Sequence, residues 1–144
     1  MRIKILICLA CAATFLGLST YAAAQGRLSD NDLQKFMSNM KEDSKNFAEP
    51  FKKDLSKSTI RKTSAEKTAK QLANQFPKQV EGMLNQFKSK KKVDTTLPTV
   101  YSSYKRLDDY MSKVSPSPKT VDSWSKVKQE MDNITKAFNF TPPA

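Results

Sequence analysis

Histidine is absent from the 144 residues, and there are only two cysteines and three glycines. Both cysteines, Cys8 and Cys11, lie in the first 24 residues, so any chain that begins after that stretch has neither thiol nor imidazole. This excludes an imidazole base, a thiolate nucleophile, a haem histidine and thiolate or imidazole ligation of a metal. It also excludes disulfide stapling, so a small domain must hold itself together by apolar packing. Beyond residue 24 the only glycines are Gly26 and Gly82, too few for a β-rich fold with many tight turns.

The carboxylates do not fill the catalytic gap. Asp108 and Asp109 are adjacent and would diverge by about 100° on a helix, while Asp30 and Asp32 are explained by the first turn of one. A di-metal site in a helical bundle needs inward Glu residues and Glu-x-x-His pairs, and these are missing. The chain is therefore expected to be no enzyme and to carry no cofactor.

The N-terminus reads as a secretory signal peptide over residues 1–24. Arg2 and Lys4 supply a positive start, Ile5 to Leu18 an apolar run, and Ala22, Ala23 and Ala24 the small residues of a cleavage site, so the mature chain is expected to begin at Gln25. A retained membrane anchor is the alternative, weakened by Ser19 and Thr20 near the end of a run that would need about 20 apolar residues to span. Cys11 sits too early in the run for a lipid-modified cysteine. The remainder of the chain is expected to be one domain over residues 25–140 and a flexible tail at 141–144, with fraying from Phe140 onward.

Apolar residues in this domain recur at steps of three and four, which predicts helices. The first stripe is Leu33, Phe36, Met37, Met40, Phe47, Phe51 and Leu55, with Ser44 in the one polar slot. Ser29 is the expected N-cap, with Asp32 three residues on and Leu28 placed to staple onto Leu33. Pro50 predicts a kink in a helix ending near Lys57. Thr63 and Glu66 form a capping box for a second helix, whose stripe runs from Ala65 to Phe87 with a bend at Pro77. Asp94 or Thr96 caps a third, with Pro98 in its first turn. The third stripe is Leu97, Val100, Tyr101, Tyr104, Leu107, Met111 and Val114. Ser115 to Pro118 reads as a stiff linker. Thr120 is the expected cap of a fourth helix, with the stripe Val121, Trp124, Val127, Met131, Ile134 and Phe138.

Four amphipathic helices with short connections predict an all-α, antiparallel four-helix up-down-up-down bundle. A three-helix variant with the first helix split at Pro50 is the alternative.

Charge is distributed unevenly. Of 25 Lys and Arg against 14 Asp and Glu, Arg2 and Lys4 leave with the signal, so 23 face 14, an excess of nine. Residues 50–92 hold twelve basic and three acidic residues, which is the whole of that excess. In an up-down bundle these bases form two poles, Lys52, Lys53, Lys57, Arg61 and Lys62 at one end and Lys88, Lys90, Lys91 and Lys92 at the other. Two basic poles suit an anionic envelope polymer, a membrane surface or an acidic protein. Nucleic acid is disfavoured as a partner, because no helix-turn-helix, RNP-like or zinc-finger pattern is present. Tyr101, Tyr104 and Tyr110 flank Lys105 and Arg106 as a base-stacking platform would, but the place of Tyr101 and Tyr104 on the apolar stripe predicts core packing. Asn133-Ile134-Thr135 and Asn139-Phe140-Thr141 match the N-glycosylation pattern, with no host to give it meaning.

Leu28-Ser29-Asp30 with Asp32, the run from Lys57 to Ser64, Leu84-Asn85-Gln86-Phe87 and Ser123-Trp124-Ser125-Lys126-Val127 together resemble short, uncharacterised secreted bacterial proteins expected to be helical. The resemblance implies a secreted or periplasmic location and carries no activity or site. The expected function is therefore that of a non-catalytic exported binding module. A periplasmic holdase-like chaperone offering Phe and Met side chains, or a structural helical oligomer, stand as alternatives.

Overall fold

The computed structural model describes residues 28–142; the expected signal peptide and the last two residues lie outside them. Four helices occur in the order α1 (Asp30–Leu55), α2 (Ser64–Lys90), α3 (Leu97–Met111) and α4 (Pro118–Ala137), with no strand among the described residues. α1 packs on both α2 and α4, and α3 packs on α2, which is the neighbour pattern of a four-helix bundle. None of these helices is long and apolar enough to cross a membrane.

Both internal prolines are absorbed, since α1 runs through Pro50 and α2 through Pro77 without a break. Phe47 and Phe51 flank Pro50, are both fully buried and stack at 4.6 Å, so core packing holds the helix together where a backbone hydrogen bond is lost. Ser44 satisfies its buried hydroxyl by donating to the Lys41 carbonyl at 2.8 Å.

The caps obey local sequence with one shift. Ser29 accepts from the Asp32 N–H at 3.1 Å, as expected. Thr63 accepts from the Glu66 N–H at 3.3 Å, but Glu66 returns its bond to the Lys62 N–H at 2.5 Å, not to that of Thr63. Lys62 adopts a left-handed φ of 63°, and the Thr63 N–H already donates to the Ile60 carbonyl. Glu66 also accepts from Lys70 at 2.7 Å and Ser56 at 3.3 Å, so this buried carboxylate ties the connection between α1 and α2 to both helices. Thr96 precedes α3 without a side-chain cap bond and donates instead to Gln86 of α2 at 2.6 Å.

The start of α4 departs from expectation. Ser117, not Thr120, is the N-cap, and its side chain makes no cap bond within α4. The acceptor comes from α1: Asp54 Oδ2 receives the Ser117 N–H at 2.8 Å, the Ser117 hydroxyl at 3.0 Å and the Thr120 hydroxyl at 2.5 Å. With Thr120 fully buried in the first turn, Val121 lies about 100° round the helix and is 45% exposed, so it does not belong to the core stripe. The inward stripe is Thr120, Ser123, Trp124, Val127, Met131 and Ile134.

Trp124 is the central packing residue. Its ring lies 4.6 Å from Phe47 of α1, 6.2 Å from Phe76 of α2 and 5.4 Å from Tyr104 of α3, and it is 2% exposed. Its Nε1–H donates to Asp108 at 2.8 Å, and Lys128 bridges to the same carboxylate oxygen at 2.8 Å, so α3 and α4 are joined mainly through side chains. Phe140, expected in the frayed tail, packs on Tyr101 at 5.2 Å while its N–H donates to the Thr135 carbonyl. An aromatic ring beside a buried cluster is worth more packed than solvated.

Candidate functional site

The two basic poles lie at opposite ends of the bundle because α2 runs between them. Its 27 residues at 1.5 Å per residue place them about 40 Å apart. Each pole is assembled at its own end, and the two are not brought together.

At the first pole Lys53, Lys57, Arg61 and Lys62 are exposed and have no ion-pair partner among the described residues. Lys52 is half-buried and committed: its Nζ donates to Glu49 at 2.5 Å and to Asn74 of α2 at 3.0 Å. At the second pole Lys88, Lys90 and Lys92 are exposed and likewise unpaired among the described residues. Lys91 has a structural task, closing α2 with a left-handed φ of 55° as its N–H donates to the Phe87 carbonyl at 2.8 Å. That conformation costs a non-glycine residue about 1 kcal/mol. Its ammonium lies 5.3 Å above the Phe87 ring and 3.4 Å from Asp30, and these contacts offset the strain. Seven of the nine candidate side chains are thus free to meet a partner and two are used internally.

Glu66 and Glu81 of α2 are each paired with a lysine, and Asp54 is held by hydroxyl and backbone donors. Glu66 is held below the usual carboxylate range first by its bond from Lys70 and then by the Lys62 N–H. Glu81 is held low by the ammonium of Lys41, 2.5 Å away. For Asp54, burial pushes the pKa up, but the hydrogen bonds from Thr120 and Ser117 together outweigh it and leave the carboxyl below its ordinary value. On the flank where α1 meets α4 the balance reverses. Asp43 is raised by burial and by Asp122 and Glu42 against the pull of Lys126, and Glu130 is raised by burial and by Asp43.

Two shallow clefts open on the surface. One, of about 400 Å³, lies beside the N-terminus of α1 between Leu28, Leu33, Phe87 and Phe138. The other, of about 310 Å³, lies between α3 and α4 over Met111, Val121 and the edge of Trp124. Among the described residues no three His, Cys, Asp or Glu side chains gather as a metal site would require.

Tyr101 and Tyr104 pack against the core and against each other at 5.8 Å, so these rings are spent on packing and do not form a stacking platform. Sequence reasoning counted Lys67 and Lys78 in the basic stretch but placed them at neither pole; both are exposed residues of α2 that stand between the poles. Their spacing of eleven residues, close to three helical turns, was the available signal. Protein-family models, curated proteins and solved structures yield no match to the chain.

Proposed function

We propose that the protein is an exported, non-catalytic helical bundle that binds anionic material of the cell envelope through its basic poles. The observation that carries this reading is the exposure of seven pole side chains with no carboxylate partner among the described residues. A surface whose only purpose is solubility would be served as well by interspersed signs of charge. Here the excess falls on one stretch of the chain. The N-terminal signal sets the binding outside the cytoplasm, where envelope polymers and acidic protein surfaces are the available polyanions.

The folded bundle lends the competing readings less support. A holdase would display Phe47, Phe51 and Phe76, and all three are fully buried. An oligomer built on continued apolar stripes would expose them, whereas Leu28 and Val121 are the large apolar residues exposed among those described.

The test is salt-dependent retention on a sulfated polysaccharide matrix, with the triple variant Lys88→Gln, Lys90→Gln, Lys92→Gln, which spares the helix-closing Lys91. At about 1 kcal/mol per lysine at an anionic surface, the variant should bind on the order of a hundredfold more weakly. Elution at the wild-type salt concentration would overturn the proposal. Binding to an acidic protein with indifference to the polysaccharide would move it to a protein partner.

A further inference from the structure

We infer that the outward face of α2 is a continuous track that joins the two poles and holds one strand of a linear, hydroxyl-bearing polyanion. The inference rests on the polyanion reading above and assigns it a surface and a class of ligand.

Lys67, Gln71, Asn74, Lys78, Asn85 and Lys88 recur at steps of three, four or seven residues along α2, and all are exposed. They therefore share one face, on which lysines and amides predominate. Glu81 lies at the same register and is neutralised by Lys41 reaching across from α1. The other acid of α2, Glu66, is buried beneath Lys70. No free carboxylate therefore interrupts the face. Counted with both poles, residues 52–92 carry twelve basic and three acidic residues, the whole excess of nine expected for the exported chain.

The field is also one-sided. α2 packs on α1 and α3, while the acids with raised pKa values, Asp43 and Glu130, sit with Asp122 on the flank between α1 and α4. On that flank Lys126 pairs with Asp122 at 3.0 Å and charges nearly balance, so the attraction for a polyanion is concentrated on the α2 side.

The face also decides what kind of polyanion fits. The amides of Gln71 and Asn85 each donate and accept, and Asn74, whose Oδ1 accepts from Lys52, keeps its amide N–H groups to donate, which matches hydroxyl groups between the charges of a polymer. An anionic membrane would reward a large apolar side chain that could enter the acyl region. The exposed large apolar residues, Leu28 and Val121, both lie off α2. A ridge of about 40 Å between the poles thus favours a strand laid along it over a lipid surface.

The experiment measures affinity for heparin-derived oligosaccharides of increasing length, using the full exported chain and the variant Lys67→Gln/Lys78→Gln. Affinity should rise with length until the strand spans about 40 Å, the length of α2, and then level off. The double variant should bind the longest oligosaccharide about tenfold more weakly or worse, yet bind a fragment that covers one pole as the wild type does. Lys105→Gln/Arg106→Gln on α3 removes the same charge and should leave both affinities in place, with circular dichroism confirming that each variant folds. Equal losses in the two double variants, or no dependence on length, would overturn the track while leaving the poles as binding sites. Preference for phosphatidylglycerol–phosphatidylcholine vesicles over the polymer would overturn it in favour of a membrane. Indifference to every anionic probe would overturn the proposed function itself.

Discussion

Replacing Asp54 by alanine removes the acceptor that closes the N-terminus of α4 from outside that helix. Three donors converge on its Oδ2, from the Ser117 backbone, the Ser117 hydroxyl and the Thr120 hydroxyl, at 2.5 to 3.0 Å. The first turn of α4 has no acid of its own and Ser117 makes no cap bond there, so nothing local takes over. A hydrogen bond to a charged group contributes about 1.5–3 kcal/mol net, but three bonds to one oxygen are not additive. Thr120 is fully buried, but the Ser117 hydroxyl 3.0 Å away remains as a partner and limits the added desolvation cost. Together these give a loss of about 2–4 kcal/mol. Urea denaturation monitored by circular dichroism should show the midpoint falling by about 1–2 M at unchanged slope. The loss should also depend on pH. The Asp54 carboxyl has a lower pKa folded than unfolded, so its contribution is complete above the ordinary aspartate value of 3.8 and is lost as pH falls through the folded value. Wild type and Asp54→Ala should therefore differ most near neutrality and converge in strong acid. A loss below about 0.5 kcal/mol, or a gap that persists at low pH, would refute the assignment of Asp54 as the cap of α4.

Gly82 is an exposed helical residue of α2 whose added Cβ would meet no atom within 4 Å, so Gly82→Ala should stabilise the bundle by about 0.5–1 kcal/mol; a thermal midpoint that does not rise would count against it. Trp124→Ala removes the ring that touches all three other helices and leaves Asp108 without its indole donor, and should cost about 3–5 kcal/mol by denaturant titration. Because Trp124 is the single tryptophan and is buried, wild-type emission should be blue-shifted and should move to the red in the same transition that circular dichroism reports. Burial, then Asp108, pushes the Tyr104 hydroxyl up to about 12, so ultraviolet titration should contain a late tyrosinate step that Tyr104→Phe removes. The folded value is the higher one, so this contribution to stability is complete below pH 10 and is lost as pH rises toward 12.

Much of the fold is legible because helical periodicity is local. The caps at Ser29 and Thr63, the stripes of α1 and α2 and the passage through Pro50 all depend on residues within a few turns of one another. The same locality misplaces Thr120 as a cap and Val121 as core: spacing allows either phase at the start of α4, and the partner that chooses between them is 66 residues away in Asp54. Phe140 looks like tail because nothing in its own segment announces that Tyr101 will cover it. The basic poles are visible as clusters, but the commitment of Lys52 to Glu49 and Asn74, and of Lys91 to Phe87 and Asp30, is only partly so. Two of these contacts are local, and two join separate helices.

By itself the amino-acid sequence determined four amphipathic helices, the absence of His, the confinement of Cys to the first residues and a surplus of positive charge in one stretch, since composition and short-range spacing suffice for each. Tertiary structure alone decided which lysines stay free, that acids gather on the flank away from α2, and that α4 is capped by α1. Those outcomes depend on which side chains meet across helices, and the packing of Trp124 against all three neighbours sets that register.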